Sequence, residues 1–246
     1  MATYENVKFW GEARNGVPSV HSDGMEAPIR TTPYGDVVVA PIMPLNKAMV
    51  AAAEGSYFAF VNPTIGTAID GHPAPDTVTV DTKPLILISN THVTKKTYID
   101  YILLNTVAVG TNGTNVSYKM DLDTSRYTSG GSDLTGQPTC LDSTTAYAGK
   151  VYVGAVVAAA ETSSVRQLQS GVLRSVIQVA GDNYLFKFGD SSGMSSMITA
   201  GVAQANIVVV CPPIVLGEGH HFLLHMFAAA QTVAASYYVN IGLIQR

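Results

Sequence analysis

The stretch G217-E-G-H-H-F-L-L-H-M-F227 gathers three of the chain's six histidines within six residues, and its reading decides the fold. On a helix, His221 and His225 would lie four residues apart on one face, the spacing two imidazoles need to share a zinc ion. The metalloprotease pattern also requires a glutamate beside the first histidine, and here that position holds His221 or Phe222. The stretch follows Pro212-Pro213 and Gly217-Glu218-Gly219, which break helices, and it precedes another strand-like run. As a strand, His220, Phe222, Leu224 and Met226 line one face, and His221, Leu223, His225 and Phe227 line the other. Both faces are mostly apolar, as a strand covered on two sides requires. A packed strand is therefore expected, not a metal site. Near the axis of a symmetric oligomer the same histidines would be placed to gather an ion or sense pH.

Working outward, the neighbouring text has the same character. Val116, Tyr118, Met120 and Leu122 alternate with Ser117, Lys119, Asp121 and Asp123. Tyr184, Phe186 and Phe188 alternate with Leu185 and Lys187, and Ala235, Tyr237, Val239, Ile241 and Leu243 alternate with Ser236, Tyr238, Asn240 and Gly242. Period-two patterns of this kind belong to half-buried strands. The runs S56–V61, P84–S89, Y98–L104 and N206–V210 are apolar on both faces and suit central strands. Only L45-N-K-A-M-V-A-A-A-E54 reads as a short helix, with Gly55 as its stop. Gly-rich text such as T128-S-G-G-S-D-L-T-G136 reads as connection. About ten strand candidates without a repeat predict an all-β, two-sheet sandwich of the jelly-roll kind over residues 37–246. Residues 1–36 lack a sustained period and read as an extended N-terminal arm.

Composition narrows the function classes. Hydrophobic residues make up 47 % of the 246-residue chain and charged residues only 13 %, against about 25 % in ordinary globular domains. Such a chain folds, but a surface so poor in charge resists sticking poorly, which suits a subunit that buries surface against neighbours. The net charge of −4 and the lack of a Lys/Arg run speak against nucleic acid as a partner. No secretory signal or membrane span is read, so synthesis in the cytoplasm and no membrane partner are expected. Between Ser191 and Gln245 the only formally charged residue is Glu218, and this segment is expected in the core and in a subunit interface.

Other motifs weaken on inspection. F188-G-D-S-S-G193 fits the G-x-S-x-G nucleophile elbow, but Ser191 would need a base and a carboxylate, and after it only Glu218 with His220 and His221 are on offer. D121-L-D-T-S125 opens like a calcium loop, yet Arg126 and Ser132 stand where glycine and glutamate are required. Asp121 and Asp123 are expected as solvated carboxylates on the outer face of a strand. N112-G-T and N115-V-S are glycosylation sequons in a chain without an export signal. Cys140 and Cys211 are too few for a disulfide scaffold and lack metal-ligand spacing, leaving a single bridge as the alternative to free thiols. The expectation is a non-enzymatic protein, with no catalytic residues, no cofactor and no metal.

The segments Y98-I-D-Y-I-L-L104, R126-Y-T-S-G-G-S132, V179-A-G-D-N-Y-L-F-K-F-G189, P212-P-I-V-L-G-E-G-H-H-F-L-L-H225 and Y237-Y-V-N-I-G-L-I-Q-R246 resemble those of tailed-bacteriophage virion structural proteins. The resemblance covers roughly residues 56–246. It implies a jelly-roll sandwich that serves as a capsid decoration (cement) protein, located in the virion. The major capsid protein would be its partner, and it would associate with itself as a homotrimer. Tail or head adaptors, spike-base proteins, jelly-roll capsid subunits and glycan-binding sandwiches are the alternatives. The resemblance carries no catalytic residue.

Overall fold

The computed structural model describes residues 47–72, 80–111, 114–189, 205–229 and 231–246. The expected arm, the start of the sandwich domain and Ser191 of the elbow motif lie outside these residues. One helix is present among them, α1 (Lys47–Ala53), where the alanine-rich run predicts it. The first strands are β1 (Tyr57–Val61), β2 (Ile69–Asp70), β3 (Ile86–Asn90), β4 (Thr97–Ala108) and β5 (Thr114–Thr124). Then follow β6 (Tyr127–Asp133), β7 (Gln137–Pro138), β8 (Gly149–Ala158), β9 (Arg166–Arg174) and β10 (Asn183–Phe188). The last are β11 (Asn206–Cys211), β12 (Val215–Leu216), β13 (His220–Ala229) and β14 (Ser236–Gln245). The chain is all-β, as expected, and its strands form two packed sheets.

The first sheet has the order β11-β10-β4-β14-β1-β7, with β12 added against β4 and β2 against β14. The second has the order β6-β8-β3-β13-β5-β9. Pairing is antiparallel except between β10 and β11. Between the sheets meet Phe58, Ile102, Tyr184, Phe186, Ile241 and Leu243 from the first and Ile86, Ile88, Met120, Phe222 and Leu224 from the second. Ring contacts tie the sheets together, Tyr118 to Phe186 at 5.4 Å and Phe188 to Phe222 at 5.7 Å. Each such side chain, fully buried, contributes on the order of 1.5–3 kcal/mol.

The histidine stretch is a strand. β13 runs between β3 and β5, with Phe222 opposite Ile88 and Leu122, and Leu224 opposite Ile86 and Met120. Its other face packs Leu223 with Leu87, Val156 and Ala158 in a second, smaller apolar cluster outside the sandwich. β8 reaches both clusters by alternation: Val151 and Val153 face the main core, while Tyr152, Val156 and Ala158 face outward. Between them Gly154 takes φ +102°. A Cβ on Gly154 would also lie 2.7 Å from the Asp70 carbonyl oxygen, so both φ and space demand glycine.

Two expectations need correction. The β-branched run of β11 lies at the edge of its sheet, because a Val-rich run packs one face equally well beside one neighbour or two. The Gly-rich connection includes a real strand, β6, whose register against β8 shifts twice where small residues let the backbone bend. The described part of the charge-poor terminal segment lies in the core, as expected: β13 and β14 are interior strands of the two sheets, and Phe222, Leu224, Val239, Ile241 and Leu243 are at most 1 % exposed.

Candidate functional site

The outer face of β5 and β13 carries the chain's densest group of ionisable side chains. β5 contributes Lys119, Asp121 and Asp123 at alternate positions, and the register sets His225 opposite Lys119 and His221 opposite Asp123. Asp121 and Asp123 were expected in solvent, and both are buried, at 0 % and 2 % exposure. The cover comes from two distant stretches. The end of β8 carries the chain across this face, where Ala159 N–H donates to the Arg126 carbonyl and Ala158 N–H to that of Thr82. Asp81 precedes β3 and Glu161 follows β8, so both reach the face from loops.

At one end Arg126, fully buried, acts as a clamp. Its Nη1 donates to Asp123 Oδ2 at 2.9 Å, Nε to the Ala159 carbonyl at 2.8 Å and Nη2 to the Asp81 carbonyl at 2.7 Å. Its main-chain N–H donates to His221 Nδ1 at 2.9 Å. Asp123 also accepts from the main-chain N–H groups of Thr124 and Thr162 and from the Thr162 hydroxyl. Burial works against its carboxylate, yet these hydrogen bonds and that from Arg126 hold its pKa below the ordinary value. Removing one partner of such a buried pair costs about 3–5 kcal/mol, because the other charge stays behind unpaired. Burial depresses the pKa of His221, in keeping with an imidazole whose Nδ1 accepts a proton from the backbone.

At the other end Lys119 Nζ sits among three carboxylates, 2.8 Å from Asp81, 3.0 Å from Asp121 and 2.9 Å from Glu161. Burial alone would lower the Lys119 pKa; the carboxylates overturn that and raise it. The Asp121 contact lies off the line of a hydrogen bond, so it is an ion pair and neither carboxylate oxygen has a hydrogen-bond donor. Burial raises the Asp121 pKa despite Lys119. His225 packs against Asp121 with Nδ1 at 3.6 Å from Oδ2, and burial pushes its pKa down to about 4. Among the described residues, the group of possible metal ligands close enough to share an ion is Asp81, Asp121 and Glu161.

The three clustered histidines do not converge. His220 is exposed, on the opposite face, with Nδ1 accepting from Gly217 N–H; His221 serves the clamp; His225 joins the Lys119 group. Of the residues on offer as acid–base partners for Ser191, Glu218 is exposed, His220 Nδ1 accepts from Gly217 N–H and His221 Nδ1 accepts from the Arg126 amide. Asp121 and Asp123 stand on a strand and not in a loop, as the failed calcium pattern predicts. Cys140 is half-buried and Cys211 buried; both are free thiols, and burial pushes Cys211 up to about 12. Asn115 of the second sequon takes a φ of +52°, a conformation asparagine tolerates.

Other buried polar groups serve the framework. Asp182 is gripped by Arg174, the Val179 and Ala205 amides and the Tyr184 hydroxyl. Gln245 donates to Asn90, Thr97 and the Ala148 carbonyl, fastening the end of β14 to the starts of β4 and β8. A cleft of about 310 Å3 opens between the Pro63–Asp70 stretch and the β6–β8 ribbon; no aromatic ring lines it. Among the described residues no helix is long and apolar enough to cross a membrane. No family model, curated protein or solved structure matches this chain.

The sequence offered one usable signal for the Lys119 group. In a chain with so few charges, Lys119, Asp121 and Asp123 alternate on one strand face while His221 and His225 alternate on another. Asp81 and Glu161 had no such marker, since loops from distant parts of the chain deliver them.

Proposed function

We propose that this chain is a non-enzymatic virion structural protein with a jelly-roll fold, of the capsid decoration (cement) kind, working by contact with the major capsid protein and with copies of itself. The observation that carries the reading is the nesting of strand pairs in a chain so poor in charge. Among the strands β1, β3, β4, β5, β9, β10, β13 and β14, the first pairs with the last, β3 with β13, β4 with β10, and β5 with β9. This is the pattern of a folded ribbon rolled into two sheets, which supports the jelly-roll reading. β6, β7 and β8 then form an insertion between the fourth and fifth strands of the roll.

Several features suit a protein that acts by contact. Met49, Ile65, Val93, Leu141 and Val172 project into solvent from a surface with few charges. Apolar contacts at about 25 cal/mol per Å2, repeated over many copies, hold a shell without any one of them being large. Residues 1–36 are assigned to an arm that reaches the shell. The buried ionic face of β5 and β13 fits the same task, because it fixes loops that would otherwise move.

The test is mass spectrometry of purified, density-fractionated particles. A virion component is expected in constant stoichiometry with the major capsid protein across the particle peak. Its absence from particles, or an amount that varies from fraction to fraction, would end the proposal.

A further inference from the structure

At its buried side, the Lys119 group leaves the lone pairs of His225 and Asp121 facing each other. His225 Nε2 lies 3.3 Å from the Asp81 carbonyl oxygen, and a carbonyl only accepts, so Nε2 carries the ring proton. Nδ1 of the neutral ring is then bare, and it faces Asp121 Oδ2. Nδ1 of His225 and Oδ1 of Asp121 have no hydrogen-bond partner, in residues only 1 % and 0 % exposed. Lys119 already stands 3.0 Å from Asp121 Oδ2, but nothing satisfies His225 Nδ1 or Asp121 Oδ1, and a metal ion could engage both. The carboxylates of Asp81, Asp121 and Glu161 offer oxygens within 4.8 Å of one another, a separation that ligands at about 2.0–2.2 Å from one ion reach with small adjustment.

The charge balance points the same way. Asp123 is matched by Arg126. That leaves three carboxylates around one ammonium, an excess of two negative charges, with Asp121 buried and Asp81 and Glu161 partly exposed. A divalent ion in place of the ammonium halves that excess.

We propose that this group is a divalent-cation site, with the carboxylates of Asp81, Asp121 and Glu161 as the ligands already within reach of one ion, and with Nδ1 of His225, 3.6 Å from Asp121 Oδ2, joining them after a shift of its ring. Lys119 is its resident substitute, holding the carboxylates together when no ion is bound. Its side chain is 14 % exposed, so the ammonium has a way out to solvent when an ion enters. Three carboxylates with one imidazole suit Mn2+ or Zn2+; Ca2+ favours an all-oxygen shell. The ion would tie β5 and β13 to the loops before β3 and after β8, so its role is structural.

The full-length protein, stripped with EDTA, is titrated with Mn2+ and separately with Zn2+, following heat of binding and melting temperature. One ion per chain and a rise in melting temperature are expected. Lys119→Met keeps the aliphatic stem and removes the competing charge, so it should tighten binding. Glu161→Gln, at the partly exposed edge of the site, should weaken binding by about tenfold or more, since even outer-shell changes cost that much. Spin-echo spectra of the Mn2+ form should carry modulation from one directly bound imidazole nitrogen, lost in His225→Gln. Should His225→Gln fail to fold, the modulation in the wild-type protein and the Glu161→Gln affinity decide the matter. The proposal is overturned if neither ion binds wild type and Lys119→Met, or if affinity is the same in wild type and Glu161→Gln. Both outcomes are independent of whether the chain is found in particles.

Discussion

His221 accepts the Arg126 amide proton at Nδ1, so the buried clamp works only while that ring is neutral. Its folded pKa lies below the 6.5 at which it titrates in the unfolded chain. Below that value the unfolded chain binds a proton that the native protein refuses. The contribution of His221 to stability is therefore whole above pH 6.5 and is lost as the pH falls from there toward its depressed folded value. His221→Phe keeps a flat ring without the acceptor. It should melt lower than wild type at about pH 7.5 and lose less on going to about pH 5.5. His72 and His225 are depressed in the same direction and leave a residual slope. Thermal unfolding at the two pH values checks this, and an equal drop in both proteins would rule it out. At this scale the sequence was legible as to faces and illegible as to cover. The alternation put Lys119, Asp121 and Asp123 on the side away from the core, which holds. That side is nonetheless closed off by Asp81, Ala159 and Glu161, residues some forty positions away whose approach leaves no periodic trace.

Strands β5, β10, β13 and β14 were legible because their inward residues recur at every second position and their outward ones differ in kind. β6 and β9 were not. The run Y127-T-S-G-G-S-D133 has the composition of a turn, and R166-Q-L-Q-S-G-V-L-R174 buries only Leu173 fully, so neighbours and not side chains hold these edge strands. The outer apolar cluster was hidden for another reason: the run V151-Y-V-G-A-V-V-A158 is apolar on both faces, so its alternation does not mark which residues meet Leu87 and Leu223. Gly154→Ala tests that element directly. The new methyl meets the Asp70 carbonyl and the side chain of Ile69, and the backbone is strained at the same time. A loss of about 1–3 kcal/mol is expected in urea unfolding. If the variant keeps wild-type stability, neither the positive φ nor the approach of Asp70 constrains β8 at this position.

For the molecule as a whole, two interior strands late in the chain close two sheets. The proposed self-association would rest on the faces left open, where Met49, Ile65, Val93, Leu141 and Val172 stand in solvent. Light scattering of the isolated protein is expected to give a mass of three chains, and replacing Leu141 and Val172 by serine should reduce it or leave it according to whether those faces are the ones covered. A single-chain mass at high concentration would remove self-association from the proposed function. The nested pairing also has a kinetic side. β4 has its neighbour β14 separated from it by well over a hundred residues, so while the ribosome is still at work β4 and β1 wait on opposite sides of a gap that only Ser236–Gln245 can fill. Such long-range closure is slow. Nascent chains would spend that interval with two open strand edges facing each other, and a holding chaperone at the tunnel exit would raise the yield of soluble protein more than a cooler growth temperature would.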